Sequence, residues 1–304
     1  MSEERIAPAN GIELAYQEIG DAEGEPLVLI MGLATQMLGW DEELCALLAE
    51  RGFRVVRFDN RDIGRSTKLK SAGVPSRMDM LIGRRASAPY LLRDMARDTV
   101  GLMDHLGVGS AHVVGASMGG MIAQTTAIEH PERVRSLVSI MSTTGSRRVG
   151  TPALKTYGIL WGKPPRGRQA AIERAVRTFT VVGSPGYPLD EEHLRDVAGR
   201  SYDRGHSAAG VLRQLHAITA SGDRTRALRG VAVPTTVIHG KRDPLVRPSG
   251  GHATAKAIPG ARLKLIDGMG HDLPRQLWPT FVEEIAANAA RAGEGEAAPA
   301  AQPA

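Results

Sequence analysis

The chain has a single cysteine, Cys45, among 304 residues. An intrachain disulfide and a multi-cysteine metal site are therefore both excluded. Cys45 stands in D-E-E-L-C-A-L-L-A-E, near the apolar stripe of an expected helix, and reads as core packing rather than a reactive thiol. Aromatic residues make up only 4% of the sequence, and nowhere do they interleave with a dense basic block. Tracking a phosphate backbone calls for such a block, so no nucleic-acid partner is expected despite a net charge of +5 and a pI near 9.5. The charge comes from scattered arginines that read as solvated surface. Long apolar runs are missing too: the most apolar stretch, Leu27 to Met31, is far too short to span a bilayer. The start, M-S-E-E-R-I-A-P, lacks the basic and then apolar character of a signal peptide, which leaves a cytoplasmic protein as the expectation.

What is present is an ordinary globular balance, 42% hydrophobic and 23% charged, in a chain long enough for a large α/β domain. From residue 12 the pattern alternates between short apolar runs and helical periodicity. I-E-L-A-Y-Q-E-I, E-P-L-V-L-I-M, F-R-V-V-R-F, the run before residue 115 and R-S-L-V-S-I read as strands, with helices near 41–51, 91–106 and 118–129 between them. Residues 145–228 change character, being helical and basic with little strand signal. Alternation resumes with V-P-T-T-V-I-H-G, a helix near 249–258, A-R-L-K-L-I and a closing helix over about 275–291. The expected organisation is a mostly parallel central sheet flanked by helices. Residues 1–144 and 229–291 form its two parts, 145–228 a helical cap, and 292–304 a low-complexity, disordered tail.

In A-H-V-V-G-A-S-M-G-G-M-I, residues 111–122, an apolar strand runs straight into Gly115-Ala116-Ser117-Met118-Gly119 and on into a helix. One reading is a tight structural turn. The other is a nucleophilic serine on a strained strand-to-helix elbow at the carboxyl end of a parallel sheet. A serine nucleophile needs a base within hydrogen-bond reach, and the base needs an orienting carboxylate. In this architecture the chain order is serine, acid, histidine. V-I-H-G-K-R-D-P places Asp243 in a loop beyond one strand, and L-I-D-G-M-G-H-D places His271 beyond the last one. The other eight histidines lie in strands, helices or the cap, and Asp267 and Asp272 are too close along the chain to face His271 well. Met118 N–H, at a helix start, is one candidate oxyanion donor. Leu33 N–H, in the loop Met31-Gly32-Leu33-Ala34-Thr35, is the other, unless that loop is a plain turn.

G-A-S-M-G at 115–119, D-P at 243–244 and G-H at 270–271, in that order, resemble the α/β-hydrolase superfamily. M-G at 31–32, R-F-D-N-R-D-I-G-R-S-T at 57–67 and G-M-G-H-D-L-P at 268–274 narrow the likeness to the branch of aclacinomycin methylesterases and related bacterial lipases and esterases. The resemblance implies Ser117, Asp243 and His271 as the catalytic triad, Leu33 and Met118 as oxyanion donors, and neither metal nor organic cofactor. Many members of the superfamily have His-Gly where this chain has Met31-Gly32, and methionine cannot hydrogen-bond the loop. Asp59, in the D-x-R-D-x-G segment, is expected to support a turn by pairing with Arg61 or backbone donors.

A serine attacks carbonyl carbon, so the expected reaction is hydrolysis of a carboxylic ester. The substrate is expected to be a small to medium apolar ester, because Met37, Leu38, Trp40, Ile159, Leu160, Trp161 and Phe179 are candidates to surround it. The same residues could instead pack the cap onto the core. Carbon–carbon bond hydrolysis and non-catalytic binding of a small molecule are the alternative functions. A transient lipid-surface contact through L-W-G-K-P-P-R-G-R, 160–168, is the only membrane association this sequence suggests.

Overall fold

Neighbouring side chains of a strand point to opposite faces of its sheet. In E-P-L-V-L-I both faces are apolar. Val28 and Ile30 pack with Leu92, Met95 and Ile122, whereas Leu27 and Leu29 pack with Leu44, Leu48 and Phe281. A strand buried on both sides belongs at the centre of a helix-covered sheet. That is its place in the computed structural model, which describes residues 3–160, 162 and 164–296.

The strands are β1 (Arg5–Ala9), β2 (Ile12–Ile19), β3 (Glu25–Ile30), β4 (Phe53–Phe58), β5 (Ala111–Ala116), β6 (Val134–Ile140), β7 (Thr235–Gly240) and β8 (Arg262–Ile266). They form one eight-stranded sheet in the order β1-β2-β4-β3-β5-β6-β7-β8. Pairing is antiparallel from β1 through β2 to β4 and parallel from there on. The first four helices are α1 (Glu42–Ala49), α2 (Arg77–Ile82), α3 (Leu92–His105) and α4 (Met118–Glu129). Between β6 and β7 come α5 (Tyr157–Leu160), α6 (Arg168–Val182), α7 (Glu191–Arg204), α8 (Ala208–Ser221) and α9 (Thr225–Leu228), the segment we call the cap. Then follow α10 (Ser249–Ala257) and α11 (Trp278–Glu296). Helices α3 and α4 cover one face of the sheet, and α1 and α11 the other.

Some boundaries differ from expectation. R-I-A-P-A forms the edge strand β1, which sequence pattern did not suggest; Pro8 fits there because an edge strand can spare a donor. The closing helix runs to Glu296 rather than stopping near Arg291, and residues 297–304 of the expected tail lie outside the described residues. Cys45 is buried, and burial pushes its thiol up to about 12, which suits a packing role. No helix among the described residues is long and apolar enough to cross a membrane.

The cap is tied to the core by buried ion pairs that are far apart in sequence. Arg213 of α8 grips Asp62 with two hydrogen bonds, of 2.8 and 2.6 Å. Burial alone would raise the Asp62 carboxyl, but Arg213, the Leu69 N–H and the Tyr90 hydroxyl together hold it below the usual range. Arg204 of α7 reaches Asp59 at 2.8 and 3.3 Å, and Asp59 also accepts from the N–H groups of Met37 and Arg65. Asp59 thus has the expected backbone donors, but its cation is Arg204 and not Arg61. Arg61 pairs instead with the buried Asp98.

Removing one partner of a buried pair strands the other in a poorly solvating interior. Arg213→Met should therefore destabilise the protein by about 3–5 kcal/mol, read as a lower midpoint in urea unfolding. A cost below about 1 kcal/mol would show that the pair is effectively at the surface.

Candidate active site

Strand β5 ends at Ala116 and α4 begins at Met118, leaving Ser117 alone between them with φ 57° and ψ −119°. An L-residue seldom adopts such a backbone; it costs about 1–3 kcal/mol and persists only where the surroundings enforce it. Here they do. Ser117 N–H donates to the Ile140 carbonyl at 2.9 Å, and the Ser142 hydroxyl donates to the Ser117 carbonyl at 2.8 Å. The flanking glycines follow from the same crowding. A Cβ on Gly115 would lie 2.1 Å from the Gly119 carbonyl oxygen, and one on Gly119 would lie 2.0 Å from that of Ile30. The G-x-S-x-G spacing is thus what this turn sterically requires, and it stands the serine at the carboxyl end of the central strands.

Two later loops bring His271 and Asp243 to it. His271 Nε2 lies 3.0 Å from Ser117 Oγ, and His271 Nδ1 lies 2.7 Å from Asp243 Oδ2. The other carboxylate oxygen, Asp243 Oδ1, accepts from the N–H groups of Leu245 and Val246 at 2.8 and 2.9 Å. Burial would raise the Asp243 carboxyl; the neighbouring His271 and His239 outweigh it and bring it down to about 2. It is therefore ionised across the whole neutral range. The histidine loop leans on the cap: His271 N–H donates to Val182 O at 2.7 Å, and Gly270 N–H donates to Ser184 Oγ at 2.8 Å. Asp272 accepts from the Ser184 hydroxyl, consistent with a loop-bracing residue rather than the partner of the imidazole.

The loop after β3 passes beside the serine. A Cβ on Gly32 would lie only 3.1 Å from Ser117 Cβ, so the backbone bearing Leu33 N–H is adjacent to the hydroxyl. Met31, which cannot hold the loop through its side chain, has its carbonyl held instead by Asn60 Nδ2 at 2.9 Å. Met118 N–H opens α4, where the helix dipole favours negative charge.

The expected pocket residues fare differently. Met37, Leu38 and Trp40 are buried, and Trp40 packs with Leu44, Cys45 and Leu48 beneath the sheet. Leu38 also borders a cleft of about 190 Å³ with Asp41, Glu42, Arg57 and Arg200; Ser117 is not among its walls. Ile159 is half-buried in the cap. Trp161 and the side chain of Leu160 lie outside the described residues. Phe179 lines a cleft of about 320 Å³ with Tyr187, Leu189, Pro244 and Asp272; Ser117 is not among its walls. The contributions of Asn60, Arg204 and Arg213 were not foreseen. Arg213 is a charge in the largely apolar stretch A-G-V-L-R-Q-L, whereas Asn60 and Arg204 stand among polar neighbours and carry no such signal.

Among the described residues, no cluster of three or more histidine, cysteine or carboxylate side chains is placed to hold a metal ion.

Residues 25–274 match the family model described as the alpha/beta hydrolase fold, and the chain belongs to that family. Within it the chain resembles the rhodomycin D methylesterase DauP of Streptomyces sp. (strain C5), with 27% identity over 93% of this chain and 97% of the relative. Among solved structures it is similar to an esterase from Rhodococcus sp. ECU1013, with a TM-score of 0.72, 22% identity, and coverage of 95% of this chain and 99% of that one. It is similar as well to the 2-hydroxy-6-oxo-6-phenylhexa-2,4-dienoate hydrolase of Rhodococcus sp. strain RHA1, with a TM-score of 0.74, 20% identity, and coverage of 95% and 98%. At these identities the structural likenesses speak for the fold alone.

Proposed function

We propose that this protein hydrolyses carboxylic esters of small molecules through a covalent acyl-enzyme on Ser117. The observation that carries the reading is the continuous hydrogen-bonded chain from Ser117 Oγ through His271 to Asp243, standing on a strained elbow at the sheet's carboxyl edge. His271 Nε2 takes the hydroxyl proton as Oγ bonds to the ester carbonyl carbon. The carbonyl oxygen becomes an oxyanion that accepts from Leu33 and Met118 N–H. As the tetrahedral intermediate collapses, the bond to the alcohol oxygen breaks and His271 gives the proton to the departing alcohol. Water then repeats the sequence on the acyl-serine and frees the acid. Asp243 holds the imidazole in the tautomer that leaves Nε2 free to accept a proton.

The likeness to a methylesterase over nearly the full length of both chains supports an ester substrate and makes methyl esters a natural first class to test. Ile159 and Phe179, together with Leu160 and Trp161, remain our candidates for an apolar wall in the cap. On that reading, butyrate and octanoate esters of one alcohol should be turned over at least as fast as the acetate, with Ser117→Ala as the blank. Strict preference for acetate would remove the roomy apolar pocket. A fluorophosphonate probe separates a working hydrolase from a binder: it should label wild-type protein at Ser117, and no labelling of folded wild type would favour a receptor.

A further inference from the structure

Gln214 lies on the buried side of α8, in the cap, yet both ends of its amide leave the cap. Its side chain is fully buried. Gln214 Oε1 accepts from the N–H of Ala34 at 3.1 Å, and Gln214 Nε2 donates to the carbonyl of Arg61 at 2.9 Å. Ala34 is the residue after Leu33, and its φ of 62° is a left-handed value that alanine seldom adopts. A side chain from a separate element therefore grips the loop beside Ser117 at its most strained point.

Peptide planes show what that grip controls. In a trans peptide the C=O and N–H point in opposite directions, so fixing one aims the other. The peptide joining Gly32 and Leu33 has its carbonyl held by Thr35 N–H at 3.3 Å, which turns Leu33 N–H to the opposite side. The next peptide, joining Leu33 and Ala34, is clamped at both edges. Thr35 Oγ1 donates to its carbonyl at 3.2 Å, and Gln214 accepts from its N–H. Release of that N–H would let the peptide rotate and relieve Ala34, and the rotation would carry Thr35, whose N–H holds the Gly32 carbonyl, so that the Gly32–Leu33 peptide and with it Leu33 N–H would turn away.

The anchor itself is rigid. Arg213, one residue earlier, is locked on Asp62, and Gly210 packs so closely that a Cβ there would lie 2.3 Å from the Asp62 carbonyl oxygen. With methionine at position 31, the loop takes its support from Asn60 below and Gln214 above.

We propose that Gln214 is a positioning residue which, from the cap, sets the direction of the Leu33 N–H toward the oxyanion. This rests on the ester-hydrolase reading. It makes the cap a brace for the reaction centre as well as a cover. The Gln214 amide offers an acceptor to Ala34 and a donor to Arg61 at once.

The test is Gln214→Met, which fills the same space without polar atoms. Loss of an oxyanion donor costs roughly 100–1,000-fold in turnover, so its misplacement should lower kcat by about 10-fold or more. KM should stay within about 3-fold, since the interaction strengthens only in the transition state. Affinity for a trifluoromethyl ketone, which forms a tetrahedral oxyanion on the serine, should fall in step with kcat. The acid limb of the rate profile should not move. If kcat and ketone affinity per titrated active site both stay within twofold of wild type, the assignment is wrong, whatever happens to the melting temperature.

Should Gln214→Met fail to fold, the same two readings on Gln214→Asn decide. Asparagine keeps the amide but is one carbon shorter, so it cannot reach the Ala34 N–H and the Arg61 carbonyl together; parallel losses support the proposal and full retention overturns it. A wild-type protein that neither cleaves esters nor binds the ketone is a different result, and it would remove the hydrolase reading itself.

Discussion

Ser117→Ala should abolish ester turnover, lowering kcat by about 10⁵–10⁶-fold while leaving a folded protein. The two halves of this expectation have separate causes. In the proposed mechanism Oγ is the atom that bonds to the carbonyl carbon, and water held at the same place is not an equivalent nucleophile. Stability should change little. The strained backbone at 117 is held by main-chain groups, the N–H on Ile140 and the carbonyl under Ser142, and alanine keeps both. The lost hydroxyl has one protein partner, His271 Nε2 at 3.0 Å, on the half-buried side of the residue. The variant should therefore unfold within about 1 kcal/mol of wild type, lose fluorophosphonate labelling completely and still bind product acids. Turnover within 100-fold of wild type, measured on protein free of contaminating esterases, would mean that another group attacks the substrate.

Much of the fold was legible because its elements differ in period. β3 is apolar from Leu27 to Ile30 and β5 from Val113 to Ala116, β2 alternates in part, and α4 ends at the predicted residue because His130-Pro131 cannot continue a helix. The site's three central residues were legible for a related reason: each lies just past a strand end, and the order serine, acid, histidine left few candidates. What could not be read was pairing at long range. Asp59 and Arg204 are 145 positions apart, and Asp62 and Arg213 are 151 apart. Nothing local tells an arginine bound for a buried carboxylate from one bound for solvent. Trp40 was ambiguous for a different reason. A tryptophan after such a loop suits a pocket wall and a core alike, and only the turn of the chain into the packing around α1 places it in the core. Sequence pattern thus located the three side chains that the structure brings together far better than the scaffold around them.

The aiming is most exposed to test at Asp243. Asp243→Asn should cut kcat by about 10,000-fold, and the hydrogen bonds already in place dictate how. Oδ1 accepts from two backbone donors, Leu245 and Val246 N–H, at 2.8 and 2.9 Å. An asparagine will therefore put its oxygen there and its NH₂ at the Oδ2 position, 2.7 Å from His271 Nδ1. The NH₂ donates, so Nδ1 must accept, and the imidazole proton moves to Nε2. In that tautomer His271 can only donate toward Ser117 and cannot take its proton. The geometry survives while the base is lost, so the variant should keep its fold and its KM. Acid titration gives an independent check. With its carboxyl at about 2, Asp243 stays ionised far below neutrality, so a loss of rate between pH 7 and about pH 5 does not come from its protonation. Because this carboxyl sits below its unfolded value of 3.8, its contribution to stability is present above about pH 4 and disappears as pH falls through about 2. The asparagine variant should lack that segment of acid-induced destabilisation. If it instead retains more than a tenth of wild-type kcat, the carboxylate does not set the tautomer, and the hydrogen-bonded chain through His271 is architecture rather than chemistry.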